Sequence, residues 1–460
     1  MNIETRRDIQ SAYETVCRYT EGRNLCAYVL TFGCQQNEAD SEKLRGMALK
    51  MGYSLTDAPE KADLILVNTC AIRQHAELKA LSIIGSFKHL KKEKPSLVIG
   101  VTGCMTAQEH RVQDIKMRYH YVDFTLEPSS LHLLPLALAE VLSVKKRRFL
   151  REDCSTEAIE GIPLSRTCRH RAWVSIMYGC NNFCSYCIVP YVRLRERSRS
   201  AADIEEEVRT LVSEGCLDIT LLGQNVNSYK GECNFAELLR RLDRIDGDFQ
   251  LRFMTSHPKD VSDELIHVMA EGKHIAPHLH LPLQSGSDRI LKAMNRHYDI
   301  ARYMQTVNHF RAACPDFALT TDIIVGFPTE TEEDFEATLD ILRRVRFDLV
   351  YAFLYSARKG TPAAEMEGQI EESVKKERFA RLLALQDEIS LERAKAYENK
   401  TLRVLVDSKL EKSGGTLYAG RTDSGKLVHL VADDSMTGKY CQTHIDRAEA
   451  FILHGTALKK

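Results

Sequence analysis

AWVSIMYGCNNFCSYC (172–187) passes from an apolar, β-branched run straight into a loop with three cysteines spaced C-x3-C-x2-C. The run reads as a buried strand. Three thiolates held in one loop can wrap one metal centre, and soft thiolates suit zinc or an iron–sulfur cluster. Structural zinc normally closes its shell with four ligands, and no fourth Cys or His stands at a matching spacing. Three thiolates on a four-iron cluster leave one iron open to a substrate or cofactor. Cys180, Cys184 and Cys187 are therefore the first candidate metal ligands and catalytic residues.

Downstream the strand–helix rhythm repeats. LDITLL (217–222), QLRFMT (250–255), HLHLPL (278–283), LTTDIIVGF (319–327) and LVYAFLY (349–355) read as further strands. Helical spacing covers 201–214, 234–244, 260–271, 285–313 and 330–344, with Asp203 and Thr329 as N-terminal signals and a long helix from about 371 to 399. Six units in series imply a partial (β/α)6 barrel, whose functional residues gather at the carboxyl ends of its strands. From Thr401 the pattern turns to period two, with a Gly-Gly turn at 414–415, and reads as a small all-β barrel.

Upstream, AYVLTF (27–32), DLILVN (63–68), LVIGVTG (97–103) and YVDF (121–124) alternate with helical stretches, one of them over about 74–92. This is an α/β pattern with a parallel sheet covered on both faces. Cys34, Cys70 and Cys104 each follow the carboxyl end of one of these strands, where ligand crevices form. They are candidates for a second metal centre, the alternative being three separate buried cysteines. The other eight cysteines share no spacing and read as packing or loop residues. The expected division is a loose or short helical extension (1–24), an α/β domain (25–145), a linker opened by KKRR (146–165), the central barrel (166–396) and the C-terminal β barrel (397–460).

Composition sets the outer limits. The 460 residues are 44% hydrophobic and 28% charged, which excludes wholesale disorder. A net charge of −1 gives no global pull toward nucleic acid, so RNA binding must rest on local patches. The most apolar stretch, 131–142, is broken by His132, Pro135 and Glu140, and no export signal is visible, so the expectation is a cytoplasmic, monomeric protein without a membrane partner.

GCNNFCSYC resembles the radical S-adenosylmethionine signature. With GCQQNEADSEK (33–43), NTCAIR (68–73), GCM (103–105), CIVPYVR (187–193), RERSR (195–199), LLGQNVNSY (221–229), RFMTSHP (252–258), HLPLQSGSDRILKAMNR (280–296) and DIIVGFPTET (322–331), the chain resembles the methylthiotransferase family, and its tRNA-modifying branch most. The resemblance implies two 4Fe–4S clusters, on Cys180/Cys184/Cys187 and on Cys34/Cys70/Cys104, and S-adenosylmethionine chelated by the open iron of the first. The first cluster's electron would split S-adenosylmethionine to a 5′-deoxyadenosyl radical, the second would supply sulfur, and the target would be carbon 2 of N6-isopentenyladenosine at tRNA position 37. The C-terminal barrel resembles a TRAM RNA-binding domain. Expected partners are the tRNA anticodon stem-loop, an electron donor such as a flavodoxin or ferredoxin, and sulfur or iron–sulfur delivery proteins.

Within that frame Tyr186 lies near the adenine, Gln224 and Asn225 bond the methionine moiety, Ile324 and Gly326 bound the adenine, and Gln284 and Ser285 face the rim. Arg193, Arg195, Arg197 and Arg199 form a basic patch for tRNA phosphates. Tyr191, Tyr229 and Phe253 are candidates for base stacking, and His257 reads as structural. Two positions depart from the family pattern: Leu194 stands where glycine is usual, and Ala357 where proline is. A leucine resists positive φ, which puts the local loop geometry in question. The alternatives are the same chemistry on a threonylcarbamoyladenosine or a ribosomal-protein aspartate, or a non-enzymatic zinc protein that binds RNA.

Overall fold

Leu64–Thr69 and Val98–Gly103 are buried at every residue. Such runs suit only a sheet covered on both faces, which strand–helix–strand crossovers provide. The computed structural model of the chain, which describes residues 3–72, 74–150, 158–410, 417–432 and 436–458, contains this sheet. Its strands are β1 (Cys26–Thr31), β2 (Ser54–Leu55), β3 (Leu64–Thr69), β4 (Val98–Gly103), β5 (Phe124–Leu126) and β6 (Arg148–Leu150). They are all parallel, in the order β2-β1-β3-β4-β5-β6. The order reverses beside β1, the point at which open α/β sheets place ligands beyond the strands' carboxyl ends.

Two N-terminal expectations need correction. Helix α1 (Ile3–Thr20), expected as a loose or short helical extension, is a helix of 18 residues, because Ala12, Tyr13 and Val16 give it a buried face. The expected linker loses its first residues to β6, since Phe149 and Leu150 pair in register with Thr125 and Leu126. Cys154 lies outside the described residues, as does the Gly414–Gly415 turn.

The six central strands are present: β7 (Arg171–Ser175), then after a short hairpin of β8 (Met177–Tyr178) and β9 (Arg197–Ser198), β10 (Asp218–Leu222), β11 (Gln250–Phe253), β12 (His278–His280), β13 (Ala318–Val325) and β14 (Leu349–Leu354). They form two parallel triplets, β7-β10-β11 and β12-β13-β14, joined through a bridge from Leu251 to Ile275. β7 and β14 stay unpaired with each other, so the barrel is open along one side. Side-chain caps fix the helix starts: Ser200, Asn234, Ser262, Ser287 and Asp299 each accept an amide three residues on. Ser200, not Asp203, is thus the cap. Thr331, not Thr329, caps the helix Glu332–Val345, in a reciprocal box with Asp334. The single helix expected over 285–313 is two, Asp288–Ala293 and Ile300–Ala313, because Asn295 turns left-handed between them.

β15 (Thr401–Lys409), β16 (Leu417–Thr422), β17 (Leu427–Val431), β18 (Tyr440–Ala448) and β19 (Ile452–Ala457) close into the small C-terminal barrel. It docks on the amino-terminal ends of the central strands. Tyr440 donates to Leu217 O at 2.9 Å, Arg252 donates to Asp423 O at 2.8 Å, and Lys426 pairs with Asp348 at 3.4 Å. Among the described residues, no helix is long and apolar enough to cross a membrane.

Candidate active site

Cys180, Cys184 and Cys187 lie on the loop after β8, at the carboxyl end of the central barrel. The loop is pulled tight by Cys180 N–H to Leu194 O (3.0 Å) and Cys187 N–H to Cys184 O (2.9 Å). Gly179 has φ +76, and a Cβ there would lie 2.0 Å from Arg195 O, so only glycine fits. Burial pushes the Cys180 thiol up to about 11, with nearby Cys184 adding and the Asn182 amide opposing. Burial pushes Cys187 up to about 12, with Cys184 and Cys180 adding and the Val189 amide opposing. Three thiols gathered on one loop, with amides and Arg296 Nη1 (3.4 Å from Cys184 Sγ) aimed at their sulfurs, form a cradle for an electron-rich centre.

The second trio converges as well. Cys34 is the N-cap of helix α2 (Gln35–Lys50). A Cβ on Gly33 would stand 2.7 Å from Cys70 Cβ and 3.1 Å from Cys70 Sγ. A Cβ on Gly103 would stand 2.2 Å from Thr69 O. The two glycines, both at positive φ, are what let these strand ends close on one another. Ile72 N–H points at Cys70 Sγ (3.3 Å), and Arg193 Nε–H points at Cys104 Sγ (3.2 Å). Burial raises the Cys104 thiol to about 11, Arg193 opposes, and Cys70 and Cys34 add. Among the described residues, no three His, Cys, Asp or Glu side chains are gathered for a single metal ion. Ligands of one zinc crowd at about 2.3 Å from it, whereas the thiolates of a four-iron cluster each meet a different iron. Both trios fit a cluster better than an ion.

The rim between them is rich in buried polar atoms without a partner: Asn182 Oδ1, Gln224 Oε1, Asn225 Oδ1, Ser256 Oγ, His257 Nε2 and Gln284 Oε1. Such atoms are costly unless a ligand satisfies them. Asn225 is held by its amide on Asp260 (2.7 Å). Ser285 is buried and accepts from Ser287 N (3.3 Å). Phe183, Thr255, Gln284 and Thr329 all take positive φ at this end of the barrel, and strained backbone of this kind clusters at functional sites. Tyr186 and Ile324 pack on the same small apolar cluster of Ile290, Met294, Phe327 and Tyr355. The Gly326 amide is taken by Glu330 (2.8 Å), and a Cβ there would strike Lys375.

Reading the sequence passed over Arg296 and Ser256 and took His257 as structural. Arg296, Ser256 and His257 stand inside motifs already noted, yet no spacing reveals their aim. His257 Nδ1 accepts from Lys259 N (3.3 Å), which leaves the hydrogen on the orphaned Nε2. Burial drives its pKa down to about 2, with Arg296 adding, so the ring is a neutral donor.

The arginine patch divides. Arg193 and Arg199 are buried, which corrects their expected place on the surface facing tRNA phosphates. Arg199 is consumed by Glu160 (2.7 Å), Glu207 (2.7 Å) and Ser175 O (2.8 Å). Arg193 reaches into the N-terminal domain. Arg195 is exposed over the Phe183 ring (4.3 Å), which in turn meets the exposed Tyr191 edge-to-face. Arg197 lies half-buried on β9. Of the other stacking candidates, Tyr229 and Phe253 are buried core. Beneath the rim a cavity of about 470 Å³ is lined by residues of all six central strands, with Trp173, Met254 and Tyr351 among its walls, and by Arg421, Lys426 and Phe451 of the C-terminal barrel, and it reaches Gln35 beside Cys34.

Two family models match the chain: the Radical SAM superfamily over residues 174–342 and Uncharacterized protein family UPF0004 over 26–127. The first contains the loop trio and the second contains Cys34, Cys70 and Cys104. Along nearly its whole length the chain is similar to tRNA-2-methylthio-N(6)-dimethylallyladenosine synthases. That of Acetivibrio thermocellus is 49% identical, over 93% of this chain and 90% of its own. That of Thermoanaerobacter sp. (strain X514) is 46% identical, over 96% and 94%. The chain belongs to this synthase family. Its fold is shared more widely: the radical S-adenosylmethionine methyltransferase TsrM from Kitasatospora setae superposes with a TM-score of 0.55 at 14% identity, over 74% of this chain and 75% of that one. Leu194 takes the left-handed conformation at φ +64 despite its side chain.

Proposed function

We propose that this chain performs the reaction for which its relatives are named, placing a methylthio group on carbon 2 of N6-dimethylallyladenosine at tRNA position 37. The observation that carries the reading is the convergence of two three-cysteine sets at strand ends, each one thiolate short of a closed four-iron cluster. When bound, the two 4Fe–4S clusters and S-adenosylmethionine supply the electron, the sulfur, the methyl group and the hydrogen-abstracting power that no side chain has at neutral pH. Cys180, Cys184 and Cys187 hold the first cluster, and Cys34, Cys70 and Cys104 the second.

The protein's own part is binding and orientation. The unpartnered oxygens of Gln224 and Asn225 receive the methionine ammonium, and Tyr186 with Ile324 flank the adenine. Gln284 and Ser285 close the rim beside them. Met254, Trp173 and Tyr351 give the prenylated base an apolar recess. An anticodon loop is single-stranded, so its base enters without opening a duplex. Arg195 and Arg197 meet loop phosphates, Phe183 and Tyr191 offer a stacking surface, and the C-terminal barrel takes the stem as a TRAM domain would. A flavodoxin- or ferredoxin-type donor in the cytoplasm supplies electrons, and delivery proteins renew the sulfur. Mass spectrometry of nucleosides from a strain lacking the gene tests the reading. The 2-methylthio form should vanish while N6-dimethylallyladenosine accumulates; an intact 2-methylthio pool overturns it.

A further inference from the structure

Arg193 and Leu194 are adjacent, yet they bond to different cysteine sets. The Leu194 carbonyl accepts from Cys180 N–H at 3.0 Å. The Arg193 guanidinium crosses into the N-terminal domain, where Nε donates to Cys104 Sγ at 3.2 Å and Nη2 donates to Asn37 Oδ1 at 2.7 Å and Asp40 Oδ2 at 2.8 Å. The left-handed turn at Leu194 is what aims one carbonyl back at the loop trio while the preceding side chain points forward. Both partners of the Arg193–Asp40 pair are almost fully buried, at 4% and 3% exposure. Ala71, Ile188 and Val192 pack with Cys104 into an apolar layer around it.

We propose that Arg193–Leu194 is a positioning clasp that sets the second cluster against the first, and that the Arg193 N–H raises the second cluster's reduction potential. The proposal rests on the reading that Cys34, Cys70 and Cys104 hold a cluster. Its physics is direct. One-electron reduction adds negative charge, and a donor aimed at a ligating sulfur stabilises the more negative state. In an apolar layer that bond is stronger than in water. Asp40 balances the guanidinium's charge, so the oriented N–H···S bond carries the effect. Only a planar fork serves three acceptors in fixed directions, so lysine is no substitute. Surface exposure for RNA contact would leave none of these bonds in place.

The test is an EPR-monitored redox titration of the anaerobically reconstituted full-length protein, with iron and sulfide counted on each sample. In Arg193→Met the second cluster should show at least a tenfold lower equilibrium constant for one-electron reduction, about 59 mV more negative. The first cluster's potential should not move. Arg193→Lys keeps a charge beside Asp40 but cannot aim at the sulfur while serving both oxygens, and should shift the same way by less. If the methionine variant fails to fold, the lysine variant decides. Full iron with an unmoved second potential in the variant that folds overturns the clasp. A wild-type protein with about four irons and one signal, unaltered in the Cys34/Cys70/Cys104 triple alanine variant, instead removes the two-cluster reading on which the clasp stands.

Discussion

Cys180, Cys184 and Cys187 sit on one loop, and their convergence needs little more than a tight turn. Cys34, Cys70 and Cys104 come from three strands and meet only after a six-stranded sheet has formed. The first set keeps amides from its own loop near its sulfurs, from Asn182 and Val189. The second set has one local amide, from Ile72, and takes its strongest donor from another domain. A local site is fixed by loop sterics; a distant one needs packing, a buried amide network and interdomain ion pairs.

Four experiments press on that difference. The largest effect belongs to the cysteines. Alanine at Cys34, Cys70 and Cys104 together should remove about half the iron, abolish methylthio product and leave S-adenosylmethionine cleavage, whereas alanine at Cys180, Cys184 and Cys187 should abolish cleavage. Iron analysis and 5′-deoxyadenosine measurement check both, and a full iron load in the first variant would break the comparison. Next is Asn37, fully buried, which donates to Phe32 O (2.7 Å) and Thr69 O (2.9 Å) and accepts from Arg193. Asn37→Ala takes a donor from both carbonyls and one acceptor from Arg193, which keeps Asp40, and should cost about 3 kcal/mol in denaturant unfolding.

A smaller effect depends on pH. Burial raises Glu42, on the helix that starts at Cys34, to about 7 from 4.5; Arg166 and Arg45 oppose, and Glu207 and Glu38 add. A folded pKa above the unfolded one makes its contribution complete below 4.5 and lost as pH rises to about 7. Glu42→Gln should flatten that slope by on the order of 2 kcal/mol, read from unfolding at pH 5 and pH 7.5. The smallest is Leu194→Gly. Relief of the left-handed strain, less glycine's entropic cost, should stabilise by roughly 0.5 kcal/mol and raise Tm slightly.

Much of the architecture was legible. Continuous apolar runs and their helical spacers placed all six barrel strands and four of the six sheet strands, β1, β3, β4 and β5, in their correct order along the chain, because burial on both faces leaves that mark on composition; the two-residue, exposed β2 carries no such mark. The errors came where local pattern is mute. KKRR looked like a connector, yet Phe149 and Leu150 extend the sheet because an open edge beside β5 was available to pair. The segment 285–313 carries helical spacing throughout, but a left-handed Asn295 interrupts it. RERSR looked like one exposed basic strip, since sequence reports charge and not which carboxylates will be folded against it.

Sequence alone determined the soft-donor chemistry of the CNNFCSYC loop, since three thiolates within eight residues can hardly avoid one another. It also determined the strand–helix order and the family. Only the tertiary structure decided that Arg193 serves a sulfur rather than a phosphate, that His257 is a neutral donor with nothing to bond, and that Leu194 bears a turn usually left to glycine. Those outcomes depend on which groups from distant segments share one dry volume, and short-range spacing holds no record of that.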